Sequence, residues 1–327
     1  MCDRHGPDEC VVALDVGGTG MKGALLDRDL RPMYTVRRPT PRSAGPEAVV
    51  SAITATLEEL SRQARSSGLT VRRAGVVVPG IVDERTSRAI WSGNIGWRDL
   101  PLADLLEARS GLPVTLGHDV RAGGIAECAL GAARGARDIL FVAIGTGVSA
   151  ALISDGHLVV GGGFAGELGH LIVEPQGTHC VCGARGCLET VASATAIATA
   201  YTARSARAVD GASDVAALLL DGDGDALAIW QRAAEGLATA LFIATTMFGP
   251  ELIVLGGGLA EAGDLLLEPT RAHLAERLTF QRPPRVVRAG LGDEAGCVGA
   301  GVYAWQAVCG TASILPPQLP RAQVPPA

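Results

Sequence analysis

The chain has 327 residues, 48% of them hydrophobic and 19% charged, which is too apolar for a disordered chain and long enough for two domains with their own cores. A formal net charge of −6, scattered along the sequence, gives no cationic surface for nucleic acid or an anionic membrane, and every apolar run is too short or too broken to span a bilayer. The N-terminus MCDRHGPDEC lacks the apolar core of a signal peptide, so a cytoplasmic protein acting on small molecules is expected.

Residues 11–16 (VVALDV) read as a buried strand, followed by a glycine-rich turn at Gly17–Gly20 and a second short strand, GALLD. Val49, Ala52, Ile53, Leu57, Leu60 and Ala64 recur at helical spacing over 46–65, and Gly68 stops the run. A strand AGVVVPG comes next, then a loop holding Trp91, Asn94 and Trp97, a short helix (101–109), a strand (113–117) and a small-residue helix (121–130). The segment ILFVAIGTGVSAALISDGHLVV repeats the opening theme of strand, Gly/Thr turn and hairpin, as an internal duplication would. Helices near 190–205 and 225–247, a strand LIVLGGG, a helix after Gly263, a strand RVVRAG and a helix over 295–308 complete the pattern.

This alternation predicts two related α/β domains facing each other across a nucleotide-binding cleft. The smaller, 10–118, holds the first glycine turn. The larger, 119–294, holds the second. A C-terminal helix, 295–310, packs back on the first, and the tail 311–327, with five prolines, is expected to be disordered.

Asp15, Gly17, Gly18, Thr19 and Lys22 form D-x-G-G-T-x-x-K directly after a buried strand, where glycines let backbone N–H groups approach phosphate oxygens. Gly18, Gly20 and Gly23 also satisfy G-x-G-x-x-G, but a strand and Pro32 follow instead of the helix that a dinucleotide fold needs, and no Walker A loop is present. An ordinary hairpin turn would explain one Gly-Gly alone. Gly145-Thr146-Gly147 stands at the equivalent place in the second half, and Gly256, Gly257 and Gly258 could admit adenine and ribose against bare backbone. Together the three turns predict one ATP site.

His170, Cys180, Cys182 and Cys187 offer one imidazole and three thiolates within eighteen residues, the ligand set of a closed structural zinc site. His179 competes, but its neighbour Cys180 already takes a ligand position. Four protein ligands leave no open coordination site, so the metal should organise loops and not perform chemistry. Cys2, Cys10, Cys128, Cys297 and Cys309 stand alone. Glu167 and Glu189 flank the cluster as candidate holders of a polyhydroxyl ligand, although either alone would pass for a surface glutamate. Asp119 lies between a strand end and a helix. There it is either a helix N-cap or the carboxylate that accepts a hydroxyl proton during phosphoryl transfer.

D-x-G-G-T-x-x-K, the G-T-G turn, A-G-E-L-G-H (165–170) and C-x-C-G-x-x-G-C-x-E (180–189) resemble, in order and spacing, the signatures of ROK sugar kinases, the group of bacterial glucokinases and related repressors. The resemblance covers nearly the whole chain. It implies the actin-like (ribonuclease H-like) two-domain fold, ATP with Mg²⁺, a structural Zn²⁺, transfer to the 6-hydroxyl of a hexose, and a homodimer or larger assembly. It further implies Asp119 as base, a sugar held by Asn94, Glu167, His170 and Glu189, and His170 shared between zinc and sugar. The family usually carries Asn-Asp-Ala-Asn around the base, whereas this chain reads His118-Asp119-Val120-Arg121. With His118 in the place of an asparagine that touches the sugar, an amino hexose such as kanosamine, N-acetylglucosamine or N-acetylmannosamine is a candidate beside glucose. A sugar-sensing repressor of the same family would need a DNA-binding module, and about ten residues precede the first strand.

Overall fold

The structure is a computed structural model that describes residue 6 and residues 8–310; the expected disordered tail, 311–327, lies outside the described residues. The first apolar run forms β1 (Glu9–Val16), and β2 (Gly20–Leu26) and β3 (Pro32–Pro39) continue antiparallel from it. β3, which the sequence reading did not include, opens on Pro32. It lies at the sheet edge, where a missing N–H is tolerated. α1 (Pro46–Ser66) starts on a proline and buries Val49, Ile53, Leu57, Leu60 and Ala64 against the sheet, each large side chain contributing roughly 1.5–3 kcal/mol.

β4 (Thr70–Val78) pairs parallel with β1. The stretch read as a loop around Trp91 folds into a small antiparallel sheet of β5 (Ile81–Asp83), β6 (Arg88–Trp91) and β7 (Arg98–Leu100), strands too short to show alternation. α2 (Leu102–Ser110) leads to β8 (Val114–His118), which closes the first sheet in the order β3-β2-β1-β4-β8. α3 (Asp119–Ala129) follows at once.

The second sheet repeats the first strand for strand. β9 (Ile139–Ile144), β10 (Val148–Ser154) and β11 (His157–Leu158) form the antiparallel part, and β12 (Leu252–Gly256) and β13 (Arg285–Arg288) the parallel part, in the order β11-β10-β9-β12-β13. Between β11 and β12 the run expected as one helix is two, α4 (Glu189–Ala192) and α5 (Ala194–Ser205), because extended Ser193 accepts the Ala196 N–H and starts a new helix. α6 (Ala212–Leu220) was not foreseen, and α7 (Gly224–Phe248) is capped by Asp223. α8 (Asp264–Arg277) joins β12 to β13, and α9 (Ala295–Cys309) ends the described chain.

The helix after each sheet packs on the other. The Cys128 end of α3 lies with Phe141 and Ala151 of the second sheet, while Cys297, Ala300 and Ala304 of α9 cover Val11, Ala13 and Val77 of the first. The two helices cross in backbone contact: a Cβ on Gly299 would stand 2.1 Å from the Ala122 carbonyl oxygen. The floor between the sheets is therefore two crossed helices whose N-termini, at Asp119 and Ala295, lie at the glycine turns' end of the sheets.

Candidate active site

Both glycine turns join the first two strands of their sheets. In the first, the Gly17 N–H donates to the Gly20 carbonyl at 2.8 Å, and Thr40 braces it by donating its hydroxyl to the Gly17 carbonyl at 2.7 Å. In the second, the Gly145 N–H donates to the Gly147 carbonyl at 2.9 Å. Thr19 and Thr146 are exposed at the two tips, and open space surrounds the Cβ positions of Gly18 and Gly145, so both turns leave backbone free for phosphate oxygens. At the third turn, Gly256 faces the Phe141 ring, and Gly257 adopts φ 80° with its Cβ position 2.4 Å from the Ile144 carbonyl oxygen. Gly258, beside them, is open.

Asp15, Lys22 and Arg37 stand side by side across β1, β2 and β3. Lys22 donates to the side chain of Asp293 and to its carbonyl at 2.8 Å; Arg37 pairs with Asp293 at 2.8 Å and with Glu294 at 2.5 Å. Asp293 and Glu294 belong to the link between β13 and α9, so a lysine expected at the nucleotide is held by the entry to the last helix. The Asp15 carboxylate abuts Gly296 in the first turn of α9. Burial, with the Asp119 charge added, pushes its pKa up to about 7.

Asp119 opens α3 and uses one oxygen, Oδ1, to accept its neighbour Val120's N–H at 2.7 Å. The helix N-cap is His118, whose Nδ1 accepts the Arg121 N–H at 3.3 Å. Its proton is then on Nε2, 3.4 Å from Asp119 Oδ1. Burial holds the imidazole below its ordinary pKa, so the ring is neutral. His118 is 5% exposed, and its two ring nitrogens lie against the Arg121 N–H and the Asp119 carboxylate.

The cysteine cluster forms as the spacing predicts. One ligand atom from each of His170, Cys180, Cys182 and Cys187 lies within 4.8 Å of all the others. Tetrahedral zinc bound to sulfur and imidazole nitrogen has edges of about 3.6–3.8 Å. The Cys182 to Cys187 sulfur distance is 3.6 Å and His170 Nδ1 is 3.7 Å from Cys180 Sγ, so the donor set fits that ion. His179 faces Arg185 instead. The other ring nitrogen of His170, Nε2, points to Glu167 Oε2 at 3.8 Å. Glu167 is raised above the usual carboxylate range by burial, with His170 and Arg121 opposing the rise and Glu189 and Asp119 adding to it. Glu189 lies against the second glycine turn, where Oε2 accepts the Val148 N–H at 2.9 Å beside Gly147. Asn94 stands exposed on the turn between β6 and β7.

Sequence reasoning missed Glu84, Arg37, Asp293 and Tyr303. Glu84 Oε1 accepts from the His118 N–H at 3.2 Å, Arg121 Nε at 3.0 Å and the Tyr303 hydroxyl at 3.0 Å, tying the end of β5, α3 and α9 together beside Asp119. No local pattern marks such a residue, since its three partners are distant in sequence.

A duplicated five-stranded sheet, crossed helices between the halves and glycine turns facing a carboxylate define the actin-like two-domain fold of sugar kinases. The ROK family profile matches residues 11–307, and the chain belongs to that family. It is 34% identical to a glucokinase of Halalkalibacterium halodurans over 315 residues, 90% of this chain and 94% of that one. It is also 34% identical to an N-acetylmannosamine kinase of Citrobacter koseri over 303 residues, 90% of this chain and 98% of that one. The crystal structure of a ROK family glucokinase from Streptomyces griseus in complex with glucose and AMPPNP superposes with a TM-score of 0.80 at 31% identity, covering 91% of this chain and 99% of that one.

Proposed function

We propose that this protein is an ATP-dependent kinase that transfers the γ-phosphoryl group to the 6-hydroxyl of glucose or of a close amino-sugar analogue. The observation that supports this best is the position of Asp119, which opens α3 directly after β8, at the end of the first sheet where β1 runs into its glycine turn. A carboxylate there could accept a hydroxyl proton as the phosphoryl group moves from ATP to the sugar oxygen.

In this reading the turns at Gly17–Thr19 and Gly145–Gly147 cradle the phosphates, Lys22 exchanges Asp293 for a phosphate oxygen, and Gly256–Gly258 receive the adenosine. Asp15, a buried carboxyl pushed up to about 7 chiefly by desolvation, would hold Mg²⁺, which would supply charge neutralisation at the phosphates. Asn94, Glu167, His170 and Glu189 accept and donate to sugar hydroxyls, with His118 steadying Asp119. His170, Cys180, Cys182 and Cys187 would hold Zn²⁺, which fixes the loop carrying Glu167 and takes no part in the transfer. The lobes divide at residues 118 and 119, the second runs to 294, and 295–310 returns to the first.

The test is ATP-dependent phosphorylation across glucose, mannose, glucosamine, the N-acetylated hexosamines and 3-amino-3-deoxyglucose, with Asp119→Asn beside the wild type. Turnover of one sugar that the variant loses is expected. No turnover on any of them overturns the reading.

A further inference from the structure

Arg121 closes the run His118-Asp119-Val120-Arg121, and it is 1% exposed. A guanidinium taken fully out of water persists only if its donors are satisfied. Here they are. Nε pairs with Glu84 at 3.0 Å, Nη2 donates to the Val82 carbonyl at 3.0 Å, and Nη1 is shared between the Gly163 and Ala165 carbonyls at 3.3 and 3.5 Å.

These acceptors come from two places. Val82 and Glu84 belong to β5 and the turn after it, in the small sheet whose β6–β7 turn carries Asn94. Gly163 and Ala165 precede Glu167 by four and two residues, on the segment that continues into His170. Arg121 itself lies two residues after Asp119. The β5 and 161–165 backbones also touch directly: Gly163 has φ 97°, and a Cβ there would stand 2.6 Å from the Val82 carbonyl oxygen. One planar, five-donor fork thus spans the helix of the base, the small sheet and the Glu167 loop.

We propose that Arg121 is a positioning residue that sets the distance between Asp119 and the sugar-holding segment 163–170. This rests on the kinase reading above, in which Glu167 and His170 hold the sugar. A pure stabilising ion pair would need only Glu84. The Nη donors go instead to carbonyls of the loops that flank the pocket, a geometry that the point charge of lysine cannot reproduce. The consequence is selective: loosening the fork displaces the sugar's hydroxyl from the base, while the glycine turns that would hold ATP are not among its contacts.

The experiment compares KM for sugar and for ATP in the wild type, Arg121→Lys, Arg121→Ala and Gly163→Ala. Gly163→Ala forces the same two backbones apart without touching the guanidinium. All three are expected to raise the sugar KM by about tenfold or more with the ATP KM changed by less than about twofold, and free guanidinium should restore part of the activity of Arg121→Ala. Equal rises in both KM values, or a sugar KM unchanged in Arg121→Lys and Gly163→Ala, overturn the proposal. Wild-type turnover lost in Asp119→Asn tests the kinase reading separately, so failure of one is distinguishable from failure of the other.

Discussion

The imidazole of His170 stands between the cysteine cluster and Glu167, with Nδ1 3.7 Å from Cys180 Sγ and Nε2 3.8 Å from Glu167 Oε2. A cation on the sulfur side would fix the ring, and the ring would in turn orient the Glu167 carboxylate. Chelation, or Cys182→Ser at the exposed ligand, should raise the sugar KM by about 10–100-fold and leave the ATP KM within about twofold. Zinc content and both KM values, measured on the same samples, check this; equal effects on the two substrates contradict it.

Asp119→Asn keeps the oxygen that accepts the Val120 N–H and loses the ability to take a proton. The rate constant kcat should fall by about 10²–10⁴-fold while the melting temperature barely moves. Thermal melts beside initial rates separate a lost base from a lost fold.

Asp15 gives a pH signature. Its folded pKa of about 7 lies above the ordinary 3.8, so the folded protein keeps a proton that the unfolded chain releases. Stability from this group is present in acid, declines as pH rises from about 4, and is fully lost above about 7. Asp15→Asn removes the titration. Its melting temperature should match the wild type's near pH 4 and exceed it by several degrees near pH 8, and Mg²⁺ with ATP should narrow the gap for the wild type alone. A gap that is flat with pH counts against the assignment.

Adjacent glycines should behave differently. Gly257→Ala places a Cβ 2.4 Å from the Ile144 carbonyl at a positive φ and should destabilise by about 2–4 kcal/mol, read from urea melts. Gly258 faces open space, so Gly258→Ala should hold stability within about 0.5 kcal/mol and raise the ATP KM instead.

What the sequence revealed was what short-range pattern encodes. The turns at Gly17 and Gly145, the amphipathic α1 and the Cys180–Cys187 ligand spacing are local, and each forms as expected. The small sheet around Trp91 was hidden because strands of three or four residues have no measurable period. The surroundings of Asp119 were hidden for another reason. Glu84, Arg121 and Tyr303 meet from positions up to 219 apart, and nothing in their neighbours announces the meeting. His118 was read as a candidate sugar contact from its place beside Asp119; that its Nδ1 also caps α3 by accepting the Arg121 N–H emerges only with the fold around it.

The exchange of α3 and α9 between the sheets also governs how the chain comes into being. β1 has one face covered by α9, which is made long after it, and the α9 backbone rides so close to β4 that a Cβ on Gly75 would stand 1.9 Å from the Ala300 carbonyl oxygen. During synthesis the amino-terminal lobe is therefore left with a bare apolar face until Cys309 has emerged, however early its strands pair. A chain cut before that helix would keep Asp293, the anchor of Lys22, and lose the wall that Gly296 sets against Asp15.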